Sequence, residues 1–357
     1  MKTALIGYYG AGNFGDELLF SVIRKTLVNR GDSVLSLSFD PNYTEALHGV
    51  KAIDCSRRSV LIRPQFIANL RDVDLLLFGG GGLFHDYWPA TLKWIAAWRR
   101  MCAFLRIPFS VYAAGVGPIK TDHGYHVIER FMRSAKRITV RDEYSQLLMN
   151  TCFGIYSPIS FDGAFLASPL SYSESISCDF SRRVMLISLR KWRSISDPKR
   201  LVHTLSTFVR GSLDSFSCIE KIRFLACEKE DNEIIDMVRK SIDDVDAESV
   251  FFDIENPLKP YRDVVVTVGM RLHSLIASAL SNVPFLGISY DPKVSGFVKA
   301  FESEQCFVDV SQVDSLELIR ILKSILLDYS IIRDLLRSRV ERACSTARSN
   351  LNYVLDV

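Results

Sequence analysis

Residues 263–294 read DVVVTVGMRLHSLIASALSNVPFLGISYDPKV, and this stretch decides the fold class. Val264 to Val268 form an apolar run interrupted only by Thr267, which is typical of a strand buried on both faces. Apolar residues at helical spacing follow Gly269, and a second short strand is predicted from Phe285 to Ile288. Two buried strands joined by a helix indicate a βαβ unit with parallel strands.

Three cationic side chains interrupt this apolar unit. Arg271 and His273 lie at the strand-to-helix turn, and Lys293 follows the second strand. Both places are carboxyl ends of neighbouring parallel strands, where α/β sheets bind ligands, so the three residues predict an anion site. On a regular helix Arg271 and His273 point apart, so their convergence requires an irregular first turn. The alternative is that His273 has only a structural role.

The composition indicates a soluble globular chain. Its 357 residues suit two α/β domains, and 48% are hydrophobic and 24% charged. The net charge of +3 gives no general reason to expect nucleic acid as a partner. The basic pairs Arg99-Arg100 and Arg182-Arg183 are compatible with a peripheral contact to an anionic membrane, or with solvated helix ends.

The eight cysteines occur singly, without CxxC or metal-ligand spacing, which favours a reducing cytoplasm. No signal peptide or membrane-spanning segment is predicted. We therefore expect a cytoplasmic protein that reaches a membrane, if at all, from its inner face.

The N-terminal strand, Thr3 to Tyr8, leads into GAGNFG at residues 10–15 and then into a helix. This GxGxxG spacing is found in dinucleotide sites. However, Asp16 and Glu17 occupy the first helical turn, where they would repel a phosphate. Carboxylates there suit sugar hydroxyls or helix capping. We therefore take Asn13 and Asp16 as candidate substrate-binding residues.

Further strand ends carry glycine-rich or polar turns. A run of four glycines includes Gly80 and Gly81, which would let a ligand approach the backbone or simply form a tight turn. Arg141 follows another predicted strand and either faces the same site or pairs locally with Glu143. Because strands and helices alternate here, the first half is predicted to be a parallel sheet with helices on both faces.

A serine-rich segment, Ser168 to Ser175, suggests a linker, so we place the domains at residues 1–170 and 171–357. The second half repeats the βα pattern and ends in two helices. Its first strand ends in Arg190-Lys191-Trp192-Arg193, which makes Arg190 a further candidate for substrate binding. Two doubly wound, Rossmann-like domains facing a central cleft describe a GT-B-like α/β fold. The first domain is the expected acceptor side and the second the donor side.

An ordered set of motifs resembles the polysaccharide pyruvyl transferases of bacterial cell-wall and exopolysaccharide synthesis. The motifs are GYYGAGNFGDELL, FGGGGLFHD, AGVGPI, TVRDEYS, FDGAF and GMRLHSLIASALSNVPFLGISYDPKV. The resemblance implies transfer of a pyruvyl group from phosphoenolpyruvate to a sugar as a ketal. It also implies that Arg141, His273 and Lys293 hold or act on this donor, with Arg271 as adjacent support. Where relatives have Asp-Pro-Ala, this chain has a glycine after Asp162, so we assign Asp162 no catalytic role.

The residues suit this chemistry independently. Phosphoenolpyruvate carries a phosphate and a carboxylate, which arginine binds as a fork and lysine as a point charge. Histidine exchanges protons near neutral pH, so His273 is the expected general acid and base, with Arg141 and Lys293 as the clamp. We expect no metal and no cofactor. The expected acceptor is a saccharide, either free or linked to a polyprenyl lipid, and the oligomeric state stays open.

Three other functions fit less well. A GT-B glycosyltransferase would hold a nucleotide-sugar diphosphate with the same cations, but only Glu302 or Glu304 could serve its ribose. A catalytically silent carbohydrate-binding or scaffold subunit would have no need of Arg141, His273 and Lys293. An NAD-dependent enzyme is disfavoured by the two carboxylates after the GxGxxG motif.

Overall fold

A computed structural model describes residues 1–56, 63–167, 183–191, 197–301 and 306–356 of the chain. Two compact units are present. Unit 1 comprises Met1–Leu166 together with Ala343–Val357, and unit 2 comprises Ala167–Arg342. Each unit contains one six-stranded sheet with flanking helices, as the alternating pattern of the sequence predicts.

Unit 1 alternates strands and helices along the chain. Its strands are β1 (Lys2–Ile6), β2 (Ser33–Ser38), β3 (Ala52–Asp54), β4 (Leu75–Gly79), β5 (Phe109–Ala114) and β6 (Ile138–Val140). Its helices are α1 (Phe14–Asn29), α2 (Pro41–His48), α3 (Pro64–Leu70), α4 (Pro89–Leu105), α5 (Asp122–Met132) and α6 (Glu143–Phe153). A 3₁₀ turn, Gly163–Leu166, follows them.

Unit 2 repeats this pattern. Its strands are β7 (Val184–Ser188), β8 (Lys221–Ala226), β9 (Ala247–Phe251), β10 (Val264–Gly269), β11 (Phe285–Ser289) and β12 (Phe307–Asp309). Its helices are α7 (Pro198–Ser215), α8 (Asp231–Ser241), α9 (Leu272–Leu280), α10 (Pro292–Phe301), α11 (Ser315–Leu327) and α12 (Tyr329–Leu355), which is shared with unit 1. Short 3₁₀ turns lie at Lys259–Tyr261 and Val310–Gln312.

Both sheets have the same parallel topology. The strand orders are β3-β2-β1-β4-β5-β6 and β12-β11-β10-β7-β8-β9. Every residue of β10 is buried, which explains its largely apolar sequence, since helices cover both faces of a doubly wound sheet. Strand order reverses between β1 and β4 in one sheet and between β7 and β10 in the other, and ligands bind in the crevice at such switch points.

The end of α12 packs with unit 1, although the sequence assigned residues 171–357 to the second domain. The hydroxyl of Tyr112 on β5 donates to the Ala347 carbonyl at 2.9 Å, and the Asn350 amide donates to the Ile159 carbonyl at 3.1 Å. Leu351 is fully buried. Long-range contacts of this kind carry no local sequence signal, so the boundary in α12 could not be predicted. Among the described residues, no helix combines the length and apolar character needed to cross a membrane.

Candidate functional site

The carboxyl ends of β7, β10 and β11 carry the cations that the sequence singled out in unit 2. Arg190 follows β7, His273 lies in the first turn of α9 after β10, and Lys293 lies in the first turn of α10 after β11. These strands are neighbours in the order β11-β10-β7. The sheet therefore places all three residues along one edge, beside its switch point.

A tight connection delivers His273 to this edge. Gly269 ends β10, and a Cβ atom there would lie 2.6 Å from the Leu275 side chain, so a larger residue would require Leu275 to move. Arg271 has extended backbone angles and serves as the N-cap residue of α9, without a side-chain cap hydrogen bond. The helix then begins at Leu272, which leaves His273 half-buried in its first turn.

The Arg271 side chain is buried against two carboxylates. Its Nε donates to Asp231 Oδ2 at 3.0 Å, and its Nη2 donates to Asp231 Oδ1 at 2.5 Å and to Glu228 Oε2 at 2.6 Å. Burial alone would lower the pKa of Arg271, but the hydrogen bonds to Asp231 and Glu228 outweigh it and raise that pKa. With its charge matched in this way, Arg271 fits a structural role better than the convergence with His273 that the sequence suggested. Direct substrate binding by Arg271 stays a prediction.

Asp231 also accepts hydrogen bonds from three backbone amides. The amides of Cys227 and Glu228 donate to its Oδ2 at 3.2 and 3.1 Å, and the amide of Lys191 donates to its Oδ1 at 3.4 Å. These residues follow β8 and β7, while Arg271 follows β10. One fully buried carboxylate therefore joins three adjacent strand ends. Asp231 was not among the residues predicted from the sequence, although the acidic run after β8 was a usable signal.

Tyr290, after β11, joins two of the predicted cations. The Arg190 guanidinium donates to the Tyr290 hydroxyl and lies over the ring at 5.0 Å from its centroid. Lys293 Nζ lies 5.7 Å from the same centroid. Both cations are thereby held beside one aromatic ring, in the arrangement of a cation–π contact. Tyr290 had not been singled out, because a single tyrosine in a loop has no distinctive sequence signal.

In unit 1, Asn13 caps α1, its side chain accepting hydrogen bonds from the Gly15 amide at 2.9 Å and the Asp16 amide at 3.3 Å. A side chain on Gly81 would lie 3.0 Å from Asp16 Oδ1, so these two candidates are neighbours. Gly80 and Gly81 have φ values of +71° and +70°, which favour glycine. The first helical turn of α1 and the glycine turn after β4 thus meet at the switch point of the first sheet.

Glu17 has a structural role in unit 1. Its Oε1 accepts from the Gly10 amide at 2.8 Å, and its Oε2 lies 2.9 Å from His48 Nε2. Glu17 and His48 are both buried. The glycine-rich turn is therefore held by a carboxylate, which agrees with the sequence argument against a dinucleotide phosphate at this helix start.

Arg141 follows β6, so it lies at the carboxyl-end edge of the sheet of unit 1. Its Nε donates to Asp142 Oδ2 at 3.2 Å, and its Nη1 lies 3.6 Å from Asp162 Oδ2. A side chain on Gly115 would lie 2.7 Å from Arg141 Nη2, so Gly115 leaves the space that the guanidinium occupies. The local partner is thus Asp142 rather than the Glu143 proposed from the sequence. Asp142 Oδ1 also caps α6 by accepting from the Ser145 amide at 2.8 Å.

Several sequence predictions fall outside the described residues: the linker Ser168–Ser175, Arg182, Trp192, Arg193, Glu302 and Glu304. The candidates that are described form two groups. Asn13, Asp16, Gly80, Gly81 and Arg141 lie in unit 1, and Arg190, Arg271, His273 and Lys293 lie in unit 2.

A sequence model of the family described as polysaccharide pyruvyl transferase matches residues 13–292, which include every described candidate except Lys293, the next residue. The chain belongs to this family. The family resemblance seen in the sequence motifs is therefore confirmed, and the chain is a member of a transferase family. No curated protein sequence matches the chain significantly.

Solved structures share the fold of this pyruvyl transferase family member at low identity. HepE of Anabaena, in complex with UDP, has a TM-score of 0.67 at 11% identity, with full coverage of both chains. The UDP-GlcNAc 2-epimerase of Neisseria meningitidis, bound to UDP-GlcNAc, has a TM-score of 0.63 at 11% identity and 99% coverage of each chain. MurG of Acinetobacter baumannii has a TM-score of 0.59 at 11% identity and full coverage of both chains. The predicted GT-B-like fold is thus confirmed.

Proposed function

We propose that this protein transfers the pyruvyl group of phosphoenolpyruvate to a sugar of a cell-surface polysaccharide or its lipid-linked precursor. The observation that carries the proposal is the grouping of Arg190, His273 and Lys293 at adjacent strand ends in a member of this family. A small donor with two anionic groups needs fixed cations, and these three residues supply them at a switch point.

In unit 2, Arg190 and Lys293 provide the positive charge for the donor. Tyr290 holds both, through a hydrogen bond to Arg190 and through its ring. An arginine fork suits either the carboxylate or the phosphate, and a lysine suits the other as a compact charge. In this proposal Arg271 positions the start of α9, since Asp231 and Glu228 already match its charge.

The reaction requires a group that moves protons. His273 protonates the methylene carbon of the enol, and a sugar hydroxyl attacks the neighbouring carbon as it gains cationic character. The C–O bond to phosphate breaks, and a second hydroxyl closes the ketal ring. Of the two protons lost by the sugar hydroxyls, one replaces the proton added to the carbon that becomes the methyl group, and the other leaves on the phosphate. Imidazole is suited to both directions of transfer near neutral pH.

Arg141 is proposed to hold donor charge as well, as the family resemblance implies. Its guanidinium has Asp142 and Asp162 as neighbours, which fix its orientation beside Gly115. Arg141→Lys keeps the charge but loses the planar fork, so the KM for phosphoenolpyruvate should rise. An unchanged KM and kcat would remove Arg141 from the donor site.

The test is incubation with phosphoenolpyruvate and a panel of free and lipid-linked acceptors, with phosphate release and product mass as readouts. His273→Ala should lower kcat by about 10²- to 10⁴-fold, the usual contribution of a general acid or base. The control is His203→Ala, which changes an exposed histidine on α7. We expect EDTA to leave turnover unchanged. Turnover of nucleotide sugars without turnover of phosphoenolpyruvate would favour a GT-B glycosyltransferase instead.

A further inference from the structure

The helix α4 of unit 1 and its C-cap residue concentrate positive charge. The helix carries Lys93, Arg99 and Arg100, and Arg106 ends it as the C-cap residue. No acidic residue occurs between Asp86 and Asp122 in the sequence. A solvated surface normally mixes both signs of charge, so this run of one sign is unusual.

The charge is local rather than general. Residues 87–137 contain nine Lys and Arg against two Asp and Glu, a surplus of seven, whereas the whole chain has a net charge of only +3. The rest of the chain is therefore net negative, by four charges. Within the described part of the chain, none of the four cationic side chains of α4 and its C-cap has a hydrogen bond or ion pair. Their charge is thus available to a partner.

Apolar side chains accompany these cations. Phe104 is 72% exposed on the same helix, and Trp88, the residue before its first turn, is 58% exposed. On a regular helix Lys93, Arg100 and Phe104 share one face, seven and four residues apart. The opposite face is buried through Ile95, Trp98 and Cys102. The helix is therefore anchored to unit 1 and presents basic and aromatic groups outward.

We propose that the basic surface of α4 docks onto an anionic lipid membrane. It is formed by Lys93, Arg100 and Phe104 on the outer face, by the half-buried Arg99 at the edge of that face, and by Trp88 and Arg106 at the two ends of the helix. Four to eight basic residues on an amphipathic helix are the pattern that binds anionic headgroups. Exposed Trp and Phe beside them suit the interface between headgroups and acyl chains. Charge alone would equally suit nucleic acid, but the exposed aromatic groups favour the membrane.

The proposal does not depend on the proposed reaction, since none of its six residues is assigned to binding phosphoenolpyruvate. The experiment is flotation of the full chain with vesicles of phosphatidylcholine alone or with about 30% phosphatidylglycerol. We expect binding only to the anionic vesicles, and loss of that binding at high salt. Each cation near the surface contributes about fivefold to the partition constant, so Arg99→Gln with Arg100→Gln should lower it about 25-fold.

Two further variants and a control test whether binding depends on the α4 surface or only on the number of positive charges. Lys93→Gln with Arg106→Gln should give a similar loss, and it tests the surface even if the Arg99 change perturbs folding. Phe104→Ser should weaken binding while keeping the charge. The control, Lys240→Gln with Lys323→Gln, removes two exposed cations of unit 2 and should change the partition constant less than about twofold. No binding to anionic vesicles, an equal loss in the control, or tighter binding to duplex DNA would overturn the proposal.

Discussion

Replacing Asp231 with Asn should destabilise unit 2 and damage its site together. The native carboxylate is fully buried and makes two charge-assisted hydrogen bonds to Arg271, of 3.0 and 2.5 Å. Asn keeps one oxygen, but its NH₂ group then faces donors on Arg271 or on the backbone. The Arg271 charge would be left with Glu228 as its only described carboxylate partner. Loss of one partner of a buried ion pair costs about 3–5 kcal/mol.

We expect a value near the lower end, about 3 kcal/mol, because the introduced asparagine would retain some hydrogen bonds. For a unit of this size, each kcal/mol lowers Tm by about 2–4 °C, which gives a loss of roughly 6–12 °C in the transition of unit 2. Circular dichroism melts and urea titrations measure the change. Turnover of phosphoenolpyruvate by the folded variant should fall as well, since Asp231 joins the strand ends that carry Arg190 and His273.

Two controls sharpen this experiment. Glu228→Gln removes the outer partner of Arg271. Because the Glu228 side chain is 24% exposed, this substitution should lower the free energy of unfolding by about 1 kcal/mol or less. The double variant Asp231→Asn with Arg271→Gln should cost less than the sum of its single changes, because both remove the same interaction. A loss below about 0.5 kcal/mol for Asp231→Asn, or strict additivity in the double variant, would show that the Asp231–Arg271 pair does not stabilise unit 2.

Two further predictions concern both units. Gly115→Ala would place a carbon 2.7 Å from Arg141 Nη2, so we expect the guanidinium to move, turnover to fall at least tenfold and stability to fall by about 1–3 kcal/mol. The control is Gly82→Ala, whose added carbon meets nothing within 4 Å and should change neither turnover nor stability. Equal activities of the two variants would contradict the prediction. Burial raises the pKa of Cys227 to about 12, so iodoacetamide at about pH 8 should modify the exposed Cys152 and leave Cys227 intact in peptide mass spectra. Because this pKa is raised on folding, the stability from the neutral Cys227 thiol is complete below about pH 8.5 and is lost as the pH rises towards 12, which alkaline urea titrations would detect.

Arg271 illustrates how a sequence pattern and a structure lead to different interpretations of one residue. An arginine at a strand end beside a histidine predicts an anion ligand. The structure instead pairs it with Asp231, which lies 40 residues earlier in the chain. The position at the sheet edge was right, but a charge at that edge has two uses. It binds a ligand, or it holds the edge together so that neighbouring residues bind one.

The two doubly wound sheets could be predicted from the sequence, because largely apolar strands and periodic helices are local patterns. The sequence also predicts that Arg190, His273 and Lys293 lie at strand ends, since alternating strands and helices fix which end each loop joins. The folded structure was needed to show that Asp231 joins three strand ends and that the end of α12 belongs to unit 1. Those outcomes depend on contacts between residues far apart along the chain. Burial and packing select such partners, and no local pattern of side chains encodes them.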